Sequence, residues 1–501
     1  MKNILTLIIL LVFVILLTSC NIRDAEFDEF FNQDEQSNNS SEINDMNNGI
    51  SEEHNNFDVP DDQETTLTIL SYRDGDYFIQ DFPGLFKKHH PHVNIVFEFY
   101  SVPQDTAAQL ALTTRLLADP PDIFLFPSIV LNFEKLSMET LFLNYYELFD
   151  GPRGISVDDY FSNIYRASEI QGGLYSIPVF VELMLAYPNI RLFEGIDVDP
   201  SSISSVSVDD EIEFYTKISN AFPDERIRSS ARFSIWRALT RNPLYDIKTG
   251  EVRADTPEMA ERLRRAMEIP LTRDTVHLNI FYVEFKPEEI VENIIGSNTV
   301  ATELLNESNI IFFDSADNPS WLLSALFLQE HPDIQFAKPV PFSFGNDSNR
   351  AFSSTHNLSI MKDSANRDLA WEFVRFIMEY EEARFLGSHN DHPYMTLPIN
   401  KKAFDINTYE MMQFMFDYAM LFTDMEQHLE IPVEDFRAEQ VENGLTYIRN
   451  IMERLNFEHR QNRAVLTSLV YPDVWLIHRE EQTIEQGLAN IQRRLELYVN
   501  E

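Results

Sequence analysis

The segment TLTILSY at residues 66–72 begins a strand–helix–strand–helix–strand pattern that predicts a parallel α/β lobe. It is almost continuously apolar or β-branched, as is typical of a strand buried on both faces. Val93–Tyr100 and the segment IFLF at residues 123–126 predict two further strands. Because parallel strands need crossover connections, the two intervening segments are expected to be helices that cross in the right-handed sense.

Both intervening segments have helical periodicity. The first has apolar residues at helical spacing from Phe78 to Phe86 and ends in KKHHP at residues 87–91, where cations favour a helix C-terminus and proline stops the helix. The second is broken by the prolines at 120–121. Its amphipathic face, of the kind that packs on a core, consists of Ala107, Leu110, Ala111, Thr114 and Leu117.

The first 20 residues have the organisation of an export signal. Lys2 supplies a positive charge, Ile4–Leu17 is apolar, and small residues precede Cys20, the chain's only cysteine. Polar residues arrive too early for a membrane-spanning helix of about 20 residues. LTSC at residues 17–20 resembles the lipobox of bacterial lipoproteins, whose cysteine is acylated and becomes the first residue of the mature protein. We therefore expect a lipid anchor on the outer face of the cell membrane; a plain secretory signal with a chance cysteine is the alternative.

Residues 21–65 form an acidic segment with 14 Asp or Glu against the single Arg23. The segment has few branched apolar residues, so burial cannot offset the entropy that ordering would cost. It is expected to be a disordered tether between the lipid and the folded part of the chain. An acidic arm that recognises a partner is the alternative.

The formal net charge of −42 limits the partners. Most of this charge lies on residues 66–501, and its field opposes DNA, RNA and anionic lipid headgroups. We therefore expect no nucleic-acid partner. With a single cysteine no internal disulfide can form, so stability must come from core packing.

Signatures of catalysis are missing from the sequence. It has no Gly-x-Ser-x-Gly, no His-Glu-x-x-His and no phosphate-binding glycine-rich loop. We expect neither enzymatic activity nor a cofactor. A glycosidase pair of carboxylates stays open as an alternative, because such a pair is defined by spatial separation rather than by sequence.

Several segments carry a family resemblance in their order along the chain. They are TLTILSY (66–72), FKKHHPHV (86–93), PDIF (121–124), QGGLYSIP (171–178), VFVELMLAY (179–187), LFEGI (192–196), AFSS (351–354), LSI (358–360), DLAWEFVRF (368–376), LPIN (397–400) and ELYVNE (496–501). In this order they resemble family 1 extracellular solute-binding proteins. These are the substrate-capture lipoproteins of ABC importers and include the maltose-binding protein. The final segment resembles lipoprotein members from low-GC Gram-positive bacteria.

The resemblance implies a two-lobed α/β fold of the periplasmic-binding-protein type II, with a hinge between the lobes. The boundaries that follow are 1–20 for the signal peptide, 21–65 for the tether, 66–180 for the first part of lobe 1, 181–310 for lobe 2, 311–385 for the return to lobe 1, and 386–501 for lobe 2 with the C-terminal helices.

The resemblance also implies a function. A solute, expected to be a mono- or oligosaccharide, is captured between the lobes and delivered to the membrane permease of an ABC importer. Two rivals remain: a surface hydrolase acting on polysaccharide, and a non-transport sensor or interaction lipoprotein on the same fold.

Polar and aromatic residues at strand ends are the first candidates for ligand contact. In open parallel sheets, ligands bind beyond the carboxyl ends of the strands. This places Tyr72, Arg73 and Asp74 at the site after the first strand, and Pro127 and Ser128 after the third.

Glu182 is a lone carboxylate within the apolar segment 179–187. Because a buried unpaired carboxylate costs several kcal/mol, it needs a partner or water. The resemblance implies a contact with ligand hydroxyls, since the matching glutamate of the maltose-binding member contacts its sugar. An internal salt bridge or hinge hydrogen bond, or simple exposure, are the alternatives.

Four further candidates come from the resemblance. Trp321 stands where family members offer an aromatic platform to a sugar ring, although a core position is the alternative. His356 and Asn357 lie in the returning strand, and Tyr394 lies in a loop expected near the cleft. Trp371, on an amphipathic helix, is assigned to the core instead.

Two groups of histidines are candidate metal ligands, but we predict no metal site. His89, His90 and His92 are interpreted as polar surface. His389, Asp391 and His392 share the Tyr394 loop and favour ligand contact over metal binding. The segment DGD at residues 74–76 resembles the start of a calcium loop but lacks its distal glutamate.

Overall fold

A computed structural model of the chain describes segments from Glu64 onward. The described residues are 64–72, 77–103, 106–127, 138–151, 154–170, 172–223, 238–239, 244–246, 250–269, 312–315, 326, 334, 336–344, 349–354, 356–379, 397–422, 432–458 and 465–500. The predicted signal peptide, Cys20 and the predicted tether up to residue 63 lie outside this set.

The secondary structure alternates short strands with helices. The strands are β1 (Thr65–Tyr72), β2 (Val93–Tyr100), β3 (Ile123–Phe126), β4 (Ile177–Pro178), β5 (Phe180–Leu183), β6 (Leu185–Pro188), β7 (Tyr245–Asp246), β8 (Glu251–Val252), β9 (Phe312–Ser315), β10 (Val340–Pro341), β11 (Ala351–Ser353), β12 (Asn357–Ile360), β13 (Leu397–Pro398) and β14 (Phe457–Glu458). The helices are α1 (Tyr77–His89), α2 (Thr106–Ala118), α3 (Met138–Leu141), α4 (Tyr145–Phe149), α5 (Ser162–Ala167), α6 (Ile190–Glu194), α7 (Val208–Ala221), α8 (Pro257–Glu268), α9 (Arg367–Glu379), α10 (Lys401–Phe422), α11 (Val433–Met452), α12 (Tyr471–His478) and α13 (Ile484–Asn500).

A five-stranded sheet with the order β2-β1-β3-β12-β4 forms the first layer. β1 pairs in parallel with β2 and with β3, which confirms the predicted strand–helix–strand–helix–strand opening. β12 returns antiparallel between β3 and β4. β1 begins at Thr65, one residue earlier than predicted and inside the predicted tether.

Helices cover both faces of this sheet. On one face, the ring of Phe86 from α1 meets the rings of Phe373 and Phe376 from α9 edge-on, with centroids 5.2 and 5.4 Å apart. Trp371 is buried in the same hydrophobic core, as predicted. We call this core the first core. The other face carries a smaller core that includes Leu112 and Leu116 of α2.

The face of α2 that packs on the sheet differs from the prediction. Leu112 and Leu116 point into the core, while Leu110 and Leu117 of the predicted face are 67% and 60% exposed. The helix is apolar nearly all round, with Arg115 as its only charged residue. Periodicity therefore identified the helix but not the side that is buried, because both sides offer leucines to the sheet.

Two chain segments connect the first sheet to a second one. The second sheet has the order β13-β5-β11-β14. β4 continues into β5, and β11 continues into β12, so each connection leaves one sheet and enters the other. We call these two connections, residues 177–183 and 351–358, the crossing strands.

A second hydrophobic core lies beyond the crossing strands. It includes Ala186 of β6 and Val340 of β10, two strands of the three-stranded sheet β10-β6-β9, and side chains from α6, α7, α8, α12 and α13. The predicted apolar stripe of α13 is confirmed, since Leu488, Ile491 and Leu495 are buried there. The described part of the chain thus has two main hydrophobic cores, each formed by strands and helices.

Helices α10 and α11 pack with the first core rather than the second. Phe404, Met412, Ile448 and Met452 belong to the same cluster as β1 and α1. The prediction gave residues 386–501 as lobe 2 with the C-terminal helices, and this boundary stays a prediction. β13 pairs with β5, and this pairing keeps the helix that follows beside the crossing strands. Among the described helices, none is both long and apolar enough to cross a membrane.

Candidate functional site

The carboxyl ends of the parallel strands meet at one edge of the first sheet, which we call the carboxyl edge. The register places Tyr72, the last residue of β1, beside Tyr100, the last residue of β2. Asn357, the first residue of β12, lies opposite Phe126 and Pro178. The crossing strands therefore leave the first sheet at the edge where the strand-end argument placed the ligand.

Tyr72 lies at the carboxyl edge as predicted, but its ring is part of the first core and is only 5% exposed. It contacts the ring of Tyr100 at a centroid distance of 6.5 Å. The Tyr100 hydroxyl donates to the carbonyl oxygen of Leu125 at 3.3 Å. These contacts hold the ends of β1, β2 and β3 together, so packing is the observed role of the Tyr72 ring.

Glu182 lies on β5, half-buried between Val181 and Leu183, which are buried. Its Oε2 accepts a hydrogen bond from the Ser353 hydroxyl at 2.8 Å. The two residues are direct partners across the antiparallel β5–β11 pair. This is the hinge hydrogen bond that the sequence left open as an alternative.

His356 joins the two crossing strands. Its carbonyl oxygen accepts the backbone N–H of Val179 at 3.1 Å. Its buried ring meets the ring of Phe180 edge-on at 6.0 Å. His356 thus lies next to Asn357, the first residue of β12, and three residues away from Ser353.

Two serines were not recognised as candidates from the sequence. Ser353 bonds Glu182, and Ser354 accepts a hydrogen bond on its carbonyl oxygen from the Asn357 side-chain amide at 3.2 Å. Ser353, Ser354, His356 and Asn357 are therefore polar residues close together along the chain, and Ser353 contacts Glu182. Two consecutive serines at the end of an apolar strand were the available signal.

Five predicted site residues cannot be placed. Arg73, Asp74, Ser128, Trp321 and Tyr394 lie outside the described residues, as do His389, Asp391 and His392. Of the predicted set, Glu182 and His356 lie on the two crossing strands, and Tyr72 lies in the adjoining core.

Comparison with known proteins identifies the fold. No protein-family model matches the sequence, and no curated protein matches it. Among solved structures, the chain resembles an extracellular solute-binding protein of family 1 from Alicyclobacillus acidocaldarius, with a TM-score of 0.51, 13% identity, and coverage of 88% of this chain and 99% of that one. It also resembles a protein from Synechococcus sp. MITs9220 described as an oligosaccharide periplasmic-binding protein, with a TM-score of 0.52, 13% identity, and coverage of 87% and 99%.

The chain has a periplasmic-binding-protein-like fold. The two cores and the crossing strands between them are the two lobes and the hinge that the sequence predicted. Both reported neighbours are named as binding proteins. In this binding-protein fold the crossing strands carry Glu182 and Ser353, so the candidate site lies at the hinge.

His89 ends α1, and His90 and His92 lie between α1 and β2, at the edge of the first sheet opposite to the carboxyl edge. His92 immediately precedes β2, and its carbonyl oxygen accepts the N–H of Thr65 at the start of β1. Among the described residues, no group of three His, Cys, Asp or Glu side chains is arranged to hold a metal ion. The His90 ring stacks on Phe86 at 4.1 Å. Burial, together with the charges of His92 and His89, lowers the pKa of His90 to about 4.

This lowered pKa predicts an acid-dependent loss of stability. Above pH 6.5 His90 is neutral whether the chain is folded or unfolded. Between about pH 6.5 and pH 4 the unfolded chain binds the proton and the folded chain does not, so stability falls as the pH falls. Urea unfolding at pH 7 and pH 4.5 should therefore show a larger loss for the wild type than for His90→Gln. As a control, His478→Gln should lose as much stability between the two pH values as the wild type does. If His90→Gln also lost as much as the wild type, the role of His90 in the acid-dependent loss would be contradicted.

Proposed function

We propose that the chain is an extracytoplasmic solute-binding lipoprotein that captures a carbohydrate between its lobes and delivers it to the membrane permease of an ABC importer. The observation that carries this proposal is the fold likeness over nearly the full length of the Synechococcus protein described as an oligosaccharide-binding protein. The likeness supports a binding role, and the nature of the solute is inferred from the chemistry of the hinge.

The chemistry at the crossing strands suits a hydroxyl-bearing solute. The Glu182 carboxylate is half-buried on a crossing strand and accepts a hydrogen bond from a serine hydroxyl, so it is an acceptor of the kind that ligand hydroxyls need. Hydrogen bonds to a charged acceptor are stronger than those between neutral groups. They orient a sugar without forming any covalent bond.

Hinge closure provides the capture step. Ligand binding favours the closed arrangement of the lobes to the extent that the ligand contacts both of them. Closing the lobes removes water from the hydrogen bonds between solute and protein, and the closed form is the one that docks on the permease.

Attachment to the membrane completes the proposal. Acylation at Cys20 anchors the chain to the extracellular face of the membrane, and residues 21–65 form the tether that lets the lobes reach the permease. The low-GC Gram-positive origin that the C-terminal segment suggests belongs to the same proposal.

Thermal unfolding in the presence of a carbohydrate panel tests the function. We expect at least one mono- or oligosaccharide to raise the melting temperature, since a ligand at 100 times its Kd stabilises the folded state by about 2.7 kcal/mol. Chromatography of the sugar after incubation is the control and should recover it unchanged. Released product would identify a hydrolase. A panel without any shift would contradict carbohydrate capture and favour the interaction-protein alternative.

A further inference from the structure

Ser354 and Asn357 each bury a polar atom that lacks a partner within the described part of the chain. Both side chains are 1% exposed. The Ser354 hydroxyl oxygen and the Asn357 Oδ1 form no hydrogen bond there, although the Asn357 Nδ2 donates to the Ser354 carbonyl oxygen. A buried polar atom without a hydrogen bond is costly, and in native proteins such an atom generally meets a water, an ion or a ligand.

The position of these two atoms is not random within the fold. Ser354 directly follows β11, and Asn357 begins β12, so both lie on the connection that passes from one lobe to the other. The neighbouring residue Ser353 is bonded to Glu182 on the other crossing strand. The unpartnered atoms therefore lie one and four residues along the chain from Ser353, the partner of Glu182, on the same connection at the hinge.

We propose that Ser354 and Asn357 are ligand-positioning residues that complete a hydroxyl-binding site with Glu182. This inference rests on the proposed function and names two further residues of its site. In the ligand-bound state, a solute hydroxyl donates to the Asn357 Oδ1 and a second solute oxygen accepts from the Ser354 hydroxyl. Both orphaned atoms then gain the partner they lack.

The chemistry of the three groups also defines the class of solute. Asn357 Oδ1 is an acceptor, and Glu182 is an anionic acceptor, so together they disfavour a carboxylate or phosphate. A neutral sugar hydroxyl can both donate and accept, which satisfies Asn357 and Ser354 at once. A neutral, hydroxyl-rich solute fits this set better than an anionic one.

The hinge position adds a conformational consequence. Any movement of one lobe relative to the other must pass through the connection that carries Ser354 and Asn357. A solute bonded to these residues is held at the pivot rather than on the face of a single lobe. The hydrogen bonds between the solute and these residues therefore affect the population of the closed arrangement as well as the affinity.

Isothermal titration of single variants tests the proposal. The probe is the panel sugar that gives the largest thermal shift with the wild type. Ser354→Ala and Asn357→Leu should each raise its Kd about three- to tenfold, the effect of losing one hydrogen bond between neutral groups. The matched control is Ser343→Ala, which removes another buried serine hydroxyl without a described partner, but one that lies between Phe342 and Phe344 of the second core. Its Kd should equal that of the wild type.

A second measurement separates contact from mere structural support. Deoxy analogues of the same sugar are titrated against the wild type and Ser354→Ala. If the serine contacts a hydroxyl, one analogue should bind both proteins with equal Kd, because the bond is already absent. A Kd unchanged by both substitutions overturns the inference and assigns the buried atoms to trapped water. A loss that persists undiminished with every analogue also overturns it.

The outcome distinguishes this inference from the proposed function. If the wild type binds a panel sugar and the two variants bind it equally well, the sites proposed here fail while carbohydrate capture stands. If the wild type binds only an anionic or cationic solute, both the sugar class and the role of Asn357 and Ser354 as hydroxyl contacts are overturned.

Discussion

Replacing Glu182 with alanine is expected to weaken binding of the captured sugar by about 1.5 to 3 kcal/mol, the usual value of hydrogen bonds to a charged group. This corresponds to a rise in Kd of about 10- to 150-fold. The physical reason is that the carboxylate is the strongest acceptor described at the crossing strands, and alanine leaves the solute hydroxyls without it. Isothermal titration calorimetry measures the change directly.

The chain offers a matched control for this substitution. Glu458, on β14 of the same sheet, accepts a hydrogen bond from the Ser168 hydroxyl at 2.6 Å, so it forms the same kind of serine–glutamate pair. Glu458→Ala should lower stability without changing the Kd of the folded protein. Glu182→Gln, which keeps the size and one acceptor oxygen, should lie between the wild type and Glu182→Ala. An unchanged Kd for Glu182→Ala would assign this carboxylate to the hinge bond with Ser353 alone.

Replacing Asp473 with alanine is expected to lower the free energy of unfolding by about 3 to 5 kcal/mol. Asp473 is buried on α12 and forms an ion pair with Arg494 of α13. Its Oδ1 also accepts hydrogen bonds from Gln482 at 2.9 Å and Asn490 at 3.1 Å. Alanine removes the acceptor of all three side chains and leaves the partly buried guanidinium without its counter-charge. Urea unfolding monitored by circular dichroism gives the difference.

Two comparisons make this second prediction specific. Asp209 pairs with Arg262 at 2.7 Å but is about half exposed, and Asp209→Ala should cost only about 0 to 1 kcal/mol, as surface ion pairs do. Arg494→Met combined with Asp473→Ala should recover part of the loss, because no charge then stays buried without a partner. If Asp473→Ala costs no more than Asp209→Ala, the buried network does not hold α12 on α13.

The elements that the sequence predicted well are those with a local signal. The buried strands β1 and β3 are continuous apolar segments, and the apolar stripe of α13 follows the helical repeat along a single surface. In each of these elements, the apolar pattern is formed by side chains only a few residues apart in the sequence. Such patterns survive folding because the tertiary structure only has to cover the apolar side that is already present.

The buried face of α2 and the core that α10 and α11 join have a common physical cause. In α2, both sides of the helix carry leucines, so the local pattern could not choose between Leu110 and Leu112, and packing against the sheet buried Leu112. For α10 and α11, the residue pattern does not say which core they join, and their buried side chains share a cluster with β1 and α1. Contacts between segments far apart in the chain decided both cases.

The candidate site shows the same division. Glu182 could be singled out from the sequence because a lone carboxylate in an apolar strand needs a partner. That its partner is Ser353, 171 residues away, follows only from the register of β5 on β11. The burial of Ser354 and Asn357 likewise follows only from the tertiary structure.

The sequence by itself determined the parallel α/β opening, the family resemblance and one carboxylate of the candidate site, because each depends on residues that are close along the chain. Only the tertiary structure decided which helix face is buried, which helices join which core, and which polar side chains meet at the crossing strands. These outcomes depend on strand pairing between distant segments, and residue spacing along the chain carries no information about that pairing.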